Sequence, residues 1–250
     1  MTAGRVDWTV VDDAFRWGYE GGDLVAEWMG ILTLRATRTG ELKALEPAPG
    51  ASHELVEKTR HGMATAFLRA QRQQHALHAS AVAYQGKALA CVGASGLGKS
   101  TMAERMCRRP GVELLADDMT ELEVLPGGEL GVLPSETAVW LATDPAMAKA
   151  PLRSSRAATS PAALRCIVSL VFDDDIPNLE LRELRGADAV SALVPSLVRF
   201  EKNPSHWARE LALIGQLVSQ SRMVEARRSR DLEADAVSKA LLRLLEGEPQ

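Results

Sequence analysis

The sequence predicts an α/β fold in which a mixed central sheet flanked by helices follows a small N-terminal antiparallel sheet region. Three observations carry this. The run GASGLGKST at 93–101 matches the G-x-x-x-x-G-K-[ST] pattern and stands between a strand-like ALACV and a helical TMAERMCRR. Short alternating apolar stretches fill 22–46, and helical periodicity dominates from about residue 186. A chain of 250 residues with 46% hydrophobic content can bury a sizeable core. We divide it into a small α+β region, 1–75, and a larger domain, 76–250, that carries the glycine-rich run.

The elements follow in order. DLVAEWM, ILTLRAT and ELKALEP, broken by Gly30 and Gly40, predict a small antiparallel sheet. PAPGAS at 47–52 is a turn, and Ser52 caps a helix to about residue 74, with Leu55, Val56, Met63, Phe67 and Leu68 at helical spacing. LHASAVAY and KALACVG form a hairpin at Gln85-Gly86. VELLADD is a buried strand closing on two carboxylates, and LEVLPGGELGVL is a second hairpin turning at Pro126-Gly127-Gly128. Residues 144–163, rich in Pro, Ser, Ala and Arg, are the candidate mobile loop. LRCIVSLVF and LELREL predict strands flanking Asp173-Asp174-Asp175. Helices are expected at about 186–199, 205–220 and 231–246, with a short strand near Met223-Val224.

Composition removes several functions. A net charge of −4 argues against a nucleic-acid partner bound by bulk electrostatics. No apolar run approaches the ~20 residues of a membrane helix, and the opening MTAGRVDWTVVDDAF has no signal-like apolar core. Cys91, Cys107 and Cys166 lack metal or disulfide spacing and read as buried reduced thiols of a cytoplasmic protein.

The glycine-rich run is a phosphate cradle: backbone N–H groups wrap phosphate oxygens, and glycines keep the approach open. The cofactor-binding set is Gly93, Ala94, Ser95, Gly96, Leu97, Gly98, Lys99, Ser100 and Thr101. Lys99 is placed for the β/γ-phosphates and Ser100 for Mg²⁺, with the helix N-terminus facing the anion. ATP and Mg²⁺ are the expected cofactors. Asp117 and Asp118 end the next strand, where one acid can orient or deprotonate an acceptor hydroxyl while the other holds the metal. A solvated turn or helix cap is the plainer alternative. Pairing around Gln85-Gly86 sets Tyr84 opposite Lys87 and, continued back, His78 opposite Gly93. There it would contact the γ-phosphate or hold Asp117, although a lone strand histidine is more often structural. His53, His61, His75 and His206 read as surface residues. Arg153, Arg156 and Arg165 flank the candidate loop, as solvated charges or as a source of transition-state neutralisation.

The order LHASAV, GASGLGKST, LLADDMTEL resembles the kinase core of the HPr kinase/phosphorylase family and its shorter relatives. There a histidine precedes the phosphate loop and a paired Asp ends the next strand. The likeness covers about 76–125 and continues more loosely through VLPSETAVWL to SRMVEARRSRDLEADAVSKALL. It implies a P-loop kinase core of the HPr kinase/phosphoenolpyruvate-carboxykinase type. It also implies Lys99 and Ser100 as nucleotide and Mg²⁺ ligands, Asp117 as catalytic base, Asp118 as the second acid near the metal, and His78 as the active-site histidine. The L-x-I-R-G-L-G signature of the bifunctional members is missing, since LRELRGADAV at 181–190 is too far downstream and lacks its second glycine. Phosphorylase activity is therefore not expected. Residues 1–75 do not resemble the regulatory domain of the full-length enzymes. The shorter relatives resemble kinases of peptide-modification systems, including those phosphorylating a serine on a lasso-peptide precursor. The expectation is an ATP-dependent kinase acting on a serine of a peptide or small protein, with 1–75 as a recognition surface. Ring assemblies in the larger family leave a homo-oligomer open. The alternatives are a small-molecule kinase of the shikimate or gluconate type, whose loop opens near the start of the chain, and a regulatory P-loop ATPase.

Overall fold

A computed structural model describes residues 6–10, 12–135, 138–141, 150–153, 156–200 and 204–246. The chain divides into two compact units, one of Met1–His75 with Arg199–His206, the other of Ala76–Val198 with Trp207–Gln250.

The first unit opens with a five-stranded antiparallel meander in sequence order: β1 (Asp7–Val10), β2 (Phe15–Glu20), β3 (Asp23–Trp28), β4 (Leu32–Ala36) and β5 (Leu42–Pro47). It begins earlier than the sequence reading places it: Phe15, Trp17 and Tyr19 alternate along β2, with Gly18 on the other face. The backbone explains the glycine: a Cβ there would stand 2.1 Å from the Asp7 carbonyl oxygen of β1. Leu32, Leu34 and Ala36 of β4 alternate onto the buried face. Ser52 caps α1 (His53–Thr59) by accepting from the Leu55 N–H at 3.2 Å. A π-helical stretch (Arg60–Ala64) joins it to α2 (Thr65–Gln71), and Gln73, at φ +62°, ends the helical run slightly before the expected residue 74. Fully buried Phe67 is ringed by Phe15, Trp17, Trp28 and Phe200 at centroid distances of 5.4, 5.9, 6.0 and 5.2 Å. Trp17 Nε1–H donates to the Phe200 carbonyl at 3.0 Å, so residue 200 belongs with this cluster.

The second unit contains a mixed sheet of nine strands in the order β6-β10-β11-β14-β8-β7-β9, with β16 beside β14 and β15 beside β16. The strands are β6 (His75–Leu77), β7 (Ala79–Tyr84), β8 (Lys87–Val92), β9 (Val112–Ala116), β10 (Thr120–Val124), β11 (Leu130–Val132), β14 (Ala162–Phe172), β15 (Glu180–Glu183) and β16 (Arg222–Arg228). A separate pair, β12 (Ala138–Leu141) and β13 (Ala150–Arg153), precedes β14. The helices are α3 (Lys99–Cys107), α4 (Gly186–Leu193), α5 (Pro204–Gln220) and α6 (Ala234–Glu246). The mixed sheet flanked by helices and the separate antiparallel sheet agree with the predicted architecture.

The central strands read as continuous apolar runs because both of their faces are covered. Ala79, Ala81 and Ala83 of β7, Ala88 and Ala90 of β8 and Ile167 of β14 join a core with Leu193 of α4 and Leu217 of α5. The alternate positions, Val82, Leu89, Cys91, Cys166 and Val168, join a second core with Met102 and Met106 of α3 and Leu241 of α6. Each fully buried Leu, Val or Met contributes about 1.5–3 kcal/mol by leaving water.

Several details differ from the sequence reading. LHASAVAY is two strands, not one, breaking at His78. The strand near Met223-Val224 is longer than expected, running from 222 to 228 parallel to β14, and β15 pairs with it. The candidate mobile loop lies partly outside the described residues, at 144–149 and 154–155; within it 150–153 form β13 and 162–163 begin β14. Among the described residues no helix is long and apolar enough to cross a membrane.

Candidate active site

Three chain segments meet at one edge of the sheet. β7 is antiparallel to both β8 and β9, so β8 and β9 run in the same direction with β7 between them. The end of β8, the start of β7 and the end of β9 therefore come together. The expected neighbourhood of parallel strand ends is met one strand further out than simple adjacency.

β8 delivers the glycine-rich loop. Gly93 leaves the strand at φ +137°, where a Cβ would crowd the Leu170 carbonyl oxygen at 3.0 Å and Leu97 Cδ1 at 3.1 Å. Ala94, Ser95 and Gly96 are exposed, while Leu97 and Gly98 are partly covered. Gly98 turns left-handed, at φ +88°, and its carbonyl accepts from the Met102 N–H at 2.8 Å, which starts α3. Lys99, Ser100 and Thr101 form the first turn of that helix. The Lys99 side chain is folded over the loop: Nζ donates to the Gly93 carbonyl at 2.8 Å and the Ala94 carbonyl at 3.2 Å.

β9 delivers the acids. Asp117 is fully buried and accepts a hydrogen bond from Ser80 Oγ at 2.5 Å. Asp118 turns away, at φ +77°, a conformation that costs a non-glycine residue about 1–3 kcal/mol and that collects at functional sites. Its Oδ1 accepts from His78 Nε2–H at 3.1 Å, with both side chains about a third exposed. The turn is pinned by Thr120 Oγ1, which donates to the Ala79 carbonyl at 2.9 Å.

The predicted register holds from Tyr84–Lys87 to Ala79–Val92. It stops one step before His78 would meet Gly93, because the His78 N–H donates to the Ser196 carbonyl at 2.7 Å. The histidine thus pairs with Asp118, not with Asp117. Asp117 is held instead by Ser80, which sequence reasoning passed over. The available signal was a lone hydroxyl inside an apolar strand covered on both faces, where it must find a buried partner.

Of the three arginines singled out earlier, two have described partners, neither of them a residue of this group. Arg165 pairs with Glu129 at 2.5 Å, and Arg156 donates to the Arg109 carbonyl at 2.8 Å. The side chain of Arg153, like that of His206, lies outside the described residues. The arginine beside the loop is Arg228, whose Nη2 donates to the Leu97 carbonyl at 3.3 Å. Cys91, Cys107 and Cys166 are buried and not disulfide-bonded, as expected, and burial pushes Cys91 and Cys166 up to about 12. Among the described residues no group of three or more His, Cys, Asp or Glu gathers into a metal cage.

No family model matches the chain, and no curated protein matches its sequence. Among solved structures it is similar to the HPr(Ser) kinase/phosphatase from Coxiella burnetii, with a TM-score of 0.42 and 13% identity. That match covers 68% of this chain and 90% of the other, and is too distant to carry a function or a residue role.

Proposed function

We propose that the protein is an ATP-dependent kinase that transfers the γ-phosphate to a hydroxyl, with a serine of a peptide or small protein as the expected acceptor. One observation carries the reading. A complete phosphate-loop motif on a strand–loop–helix stands at the same sheet edge as a buried carboxylate held by Ser80 and a second one held by His78. Phosphoryl transfer asks a protein mainly for positioning and charge neutralisation, and this set supplies both.

In this reading the N–H groups of residues 93–98 bind phosphate oxygens, and Lys99 exchanges its two loop carbonyls for β/γ-phosphate oxygens. Ser100 and Asp118 present hard oxygen donors of the kind that hold Mg²⁺ together with phosphates and water, so the absence of a three-residue cage is no obstacle. Bound there, the ion would neutralise charge on the transferring group. Asp117 takes the proton of the acceptor hydroxyl as its oxygen bonds to the γ-phosphorus and the bond to the β–γ bridging oxygen breaks, releasing ADP. Ser80 fixes the orientation of that carboxylate. We assign no phosphorylase activity, and we place the protein in the cytoplasm.

The test is Asp117→Asn, assayed with labelled ATP and candidate serine peptides. ATP binding should stay near the parent value while transfer falls by about 10²–10⁴-fold, the usual share of a general base. Loss of ATP binding, or unchanged transfer, would overturn the role of Asp117. Transfer to small hydroxylated metabolites but not to peptides would replace the acceptor class. Hydrolysis without any acceptor would indicate a regulatory ATPase.

A further inference from the structure

Arg227 and Arg228 end β16 and Arg230 follows just beyond it, and the acidic turn after β14 answers two of the three. Arg227 reaches Asp173 Oδ2 at 2.5 Å, and Arg230 reaches Asp174 Oδ2 at 3.3 Å. Arg228 alternates to the face opposite Arg227, where it is 5% exposed, and it shares the Phe172 ring with Arg230, whose guanidinium carbon stands 4.4 Å from the ring centroid. The Arg228 guanidinium carbon sits 4.3 Å from the centroid of the Phe172 ring, which is its register partner on β14. Its Nη2 donates to the Leu97 carbonyl. Among the described residues no carboxylate pairs with it. Burial holds its pKa below the usual arginine value; Cys91 acts in the opposite sense, and Arg230 adds repulsion. Cys91 supplies no lasting anion, because its own thiol is pushed up to about 12.

Among the described residues, this guanidinium, taken out of water beside one carbonyl and one ring face, lacks the anion that buried charges require. The neighbouring loop is built to gather anions. The guanidinium comes close to the loop backbone: a Cβ at Gly98 would stand 2.9 Å from Arg228 Nη2, although the φ of +88° is what requires the glycine.

We infer that Arg228 is a positioning residue of the phosphate loop, holding the Leu97 carbonyl while the polyphosphate of a bound nucleotide balances its charge. The inference rests on the nucleotide reading above and adds a residue and a specificity to it. Arg228 makes affinity depend on phosphate number, because each added phosphate brings more negative charge near a poorly solvated cation. It also makes the nucleotide-free protein less stable than an apolar residue at 228 would.

Calorimetric titration of the full chain with ATP, ADP and AMP tests this, for the parent, Lys99→Ala, Arg228→Met and Arg228→Lys. Arg228→Met should weaken ATP binding by about 10- to 100-fold, the share of one charge-assisted interaction. AMP binding should change little, so the ATP-to-AMP affinity ratio collapses. Without nucleotide the same variant should melt at or above the parent temperature. Arg228→Lys, which keeps the charge, should retain most of the ratio. A parent-like ratio in Arg228→Met would overturn the inference, as would a lowered melting temperature with the ratio intact, which marks a purely structural strut. Should Arg228→Met fail to fold, Arg228→Gln, which keeps a donor for Leu97 without the charge, carries the same expectation. A parent protein that binds no ATP would instead bring down the nucleotide reading itself.

Discussion

Replacing Ser80 with Ala removes one oxygen atom, yet the structure makes it a consequential one. The Ser80 hydroxyl and Asp117 are both fully buried and 2.5 Å apart. A hydrogen bond to a charged group contributes about 1.5–3 kcal/mol, and its loss removes one donor from a buried carboxylate. With about 2–4 °C per kcal/mol for a unit of this size, the melting temperature should fall by roughly 3–12 °C. The assay is differential scanning calorimetry, following the transition that also moves in Asp117→Asn, because two compact units can unfold separately. A double-mutant cycle then isolates the pair. Ser80→Ala should cost at least ~1 kcal/mol less in the Asp117→Asn background than in the parent. Additivity within about 0.5 kcal/mol, or a Ser80→Ala protein as stable as the parent, would refute the account of how Asp117 is held.

Two further outcomes follow from other parts of the fold. Gly18→Ala would set a Cβ 2.1 Å from the Asp7 carbonyl oxygen, a clash that only separation of β1 from β2 relieves. Hydrogen exchange should show residues 7–10 losing protection while the β3–β4 ladder keeps it, and full protection of β1 would contradict the pairing. Cys91 and Cys166 have folded-state pKa values raised to about 12 from an unfolded value near 9.0, so the stability they confer is complete below pH 9 and lost as pH rises towards 12. The Cys91→Ala/Cys166→Ala double variant should therefore lose stability less steeply than the parent between pH 9 and 12 in urea titrations, and parallel curves would refute the burial argument.

The sequence showed those parts of the site whose chemistry depends on local spacing. Glycines at 93, 96 and 98 followed by Lys99 declare a phosphate loop because backbone conformation and charge are specified within a few residues. The hairpin register was readable because Gln85 and Gly86 both take positive φ, at +52° and +74°, which closes a two-residue turn. Asp117 and Asp118 stood out as charges closing an apolar run. The partners of these residues were not legible, because partnership is set by distant pairing. Ser80 meets Asp117 only through the β7–β9 ladder, and the His78 N–H leaves the hairpin for Ser196. Arg228 reaches the loop only because β16 lies parallel to β14. Its trace in the sequence was a charge on the buried side of MVEARRS, at a position where alternation called for an apolar residue. The first two strands did leave a local trace, the alternation of Phe15, Trp17 and Tyr19, which the acidic pair Asp12-Asp13 just before it obscured.

Strand β14 pairs with β8 on one side and with β11 and β16 on the other. That arrangement sets a schedule for synthesis. The β7–β8 hairpin can close as soon as it leaves the ribosome, but β8 keeps an apolar open edge until residues 162–172 appear. At about 5–20 residues per second, that edge stays unpaired for roughly 4–16 s. β14 in turn waits for residues 222–228. During this interval the nascent chain presents the kind of strand edge that invites intermolecular pairing. Chains truncated before residue 222 would keep such an edge permanently, and would be expected to aggregate even though the phosphate loop and both acids are already present.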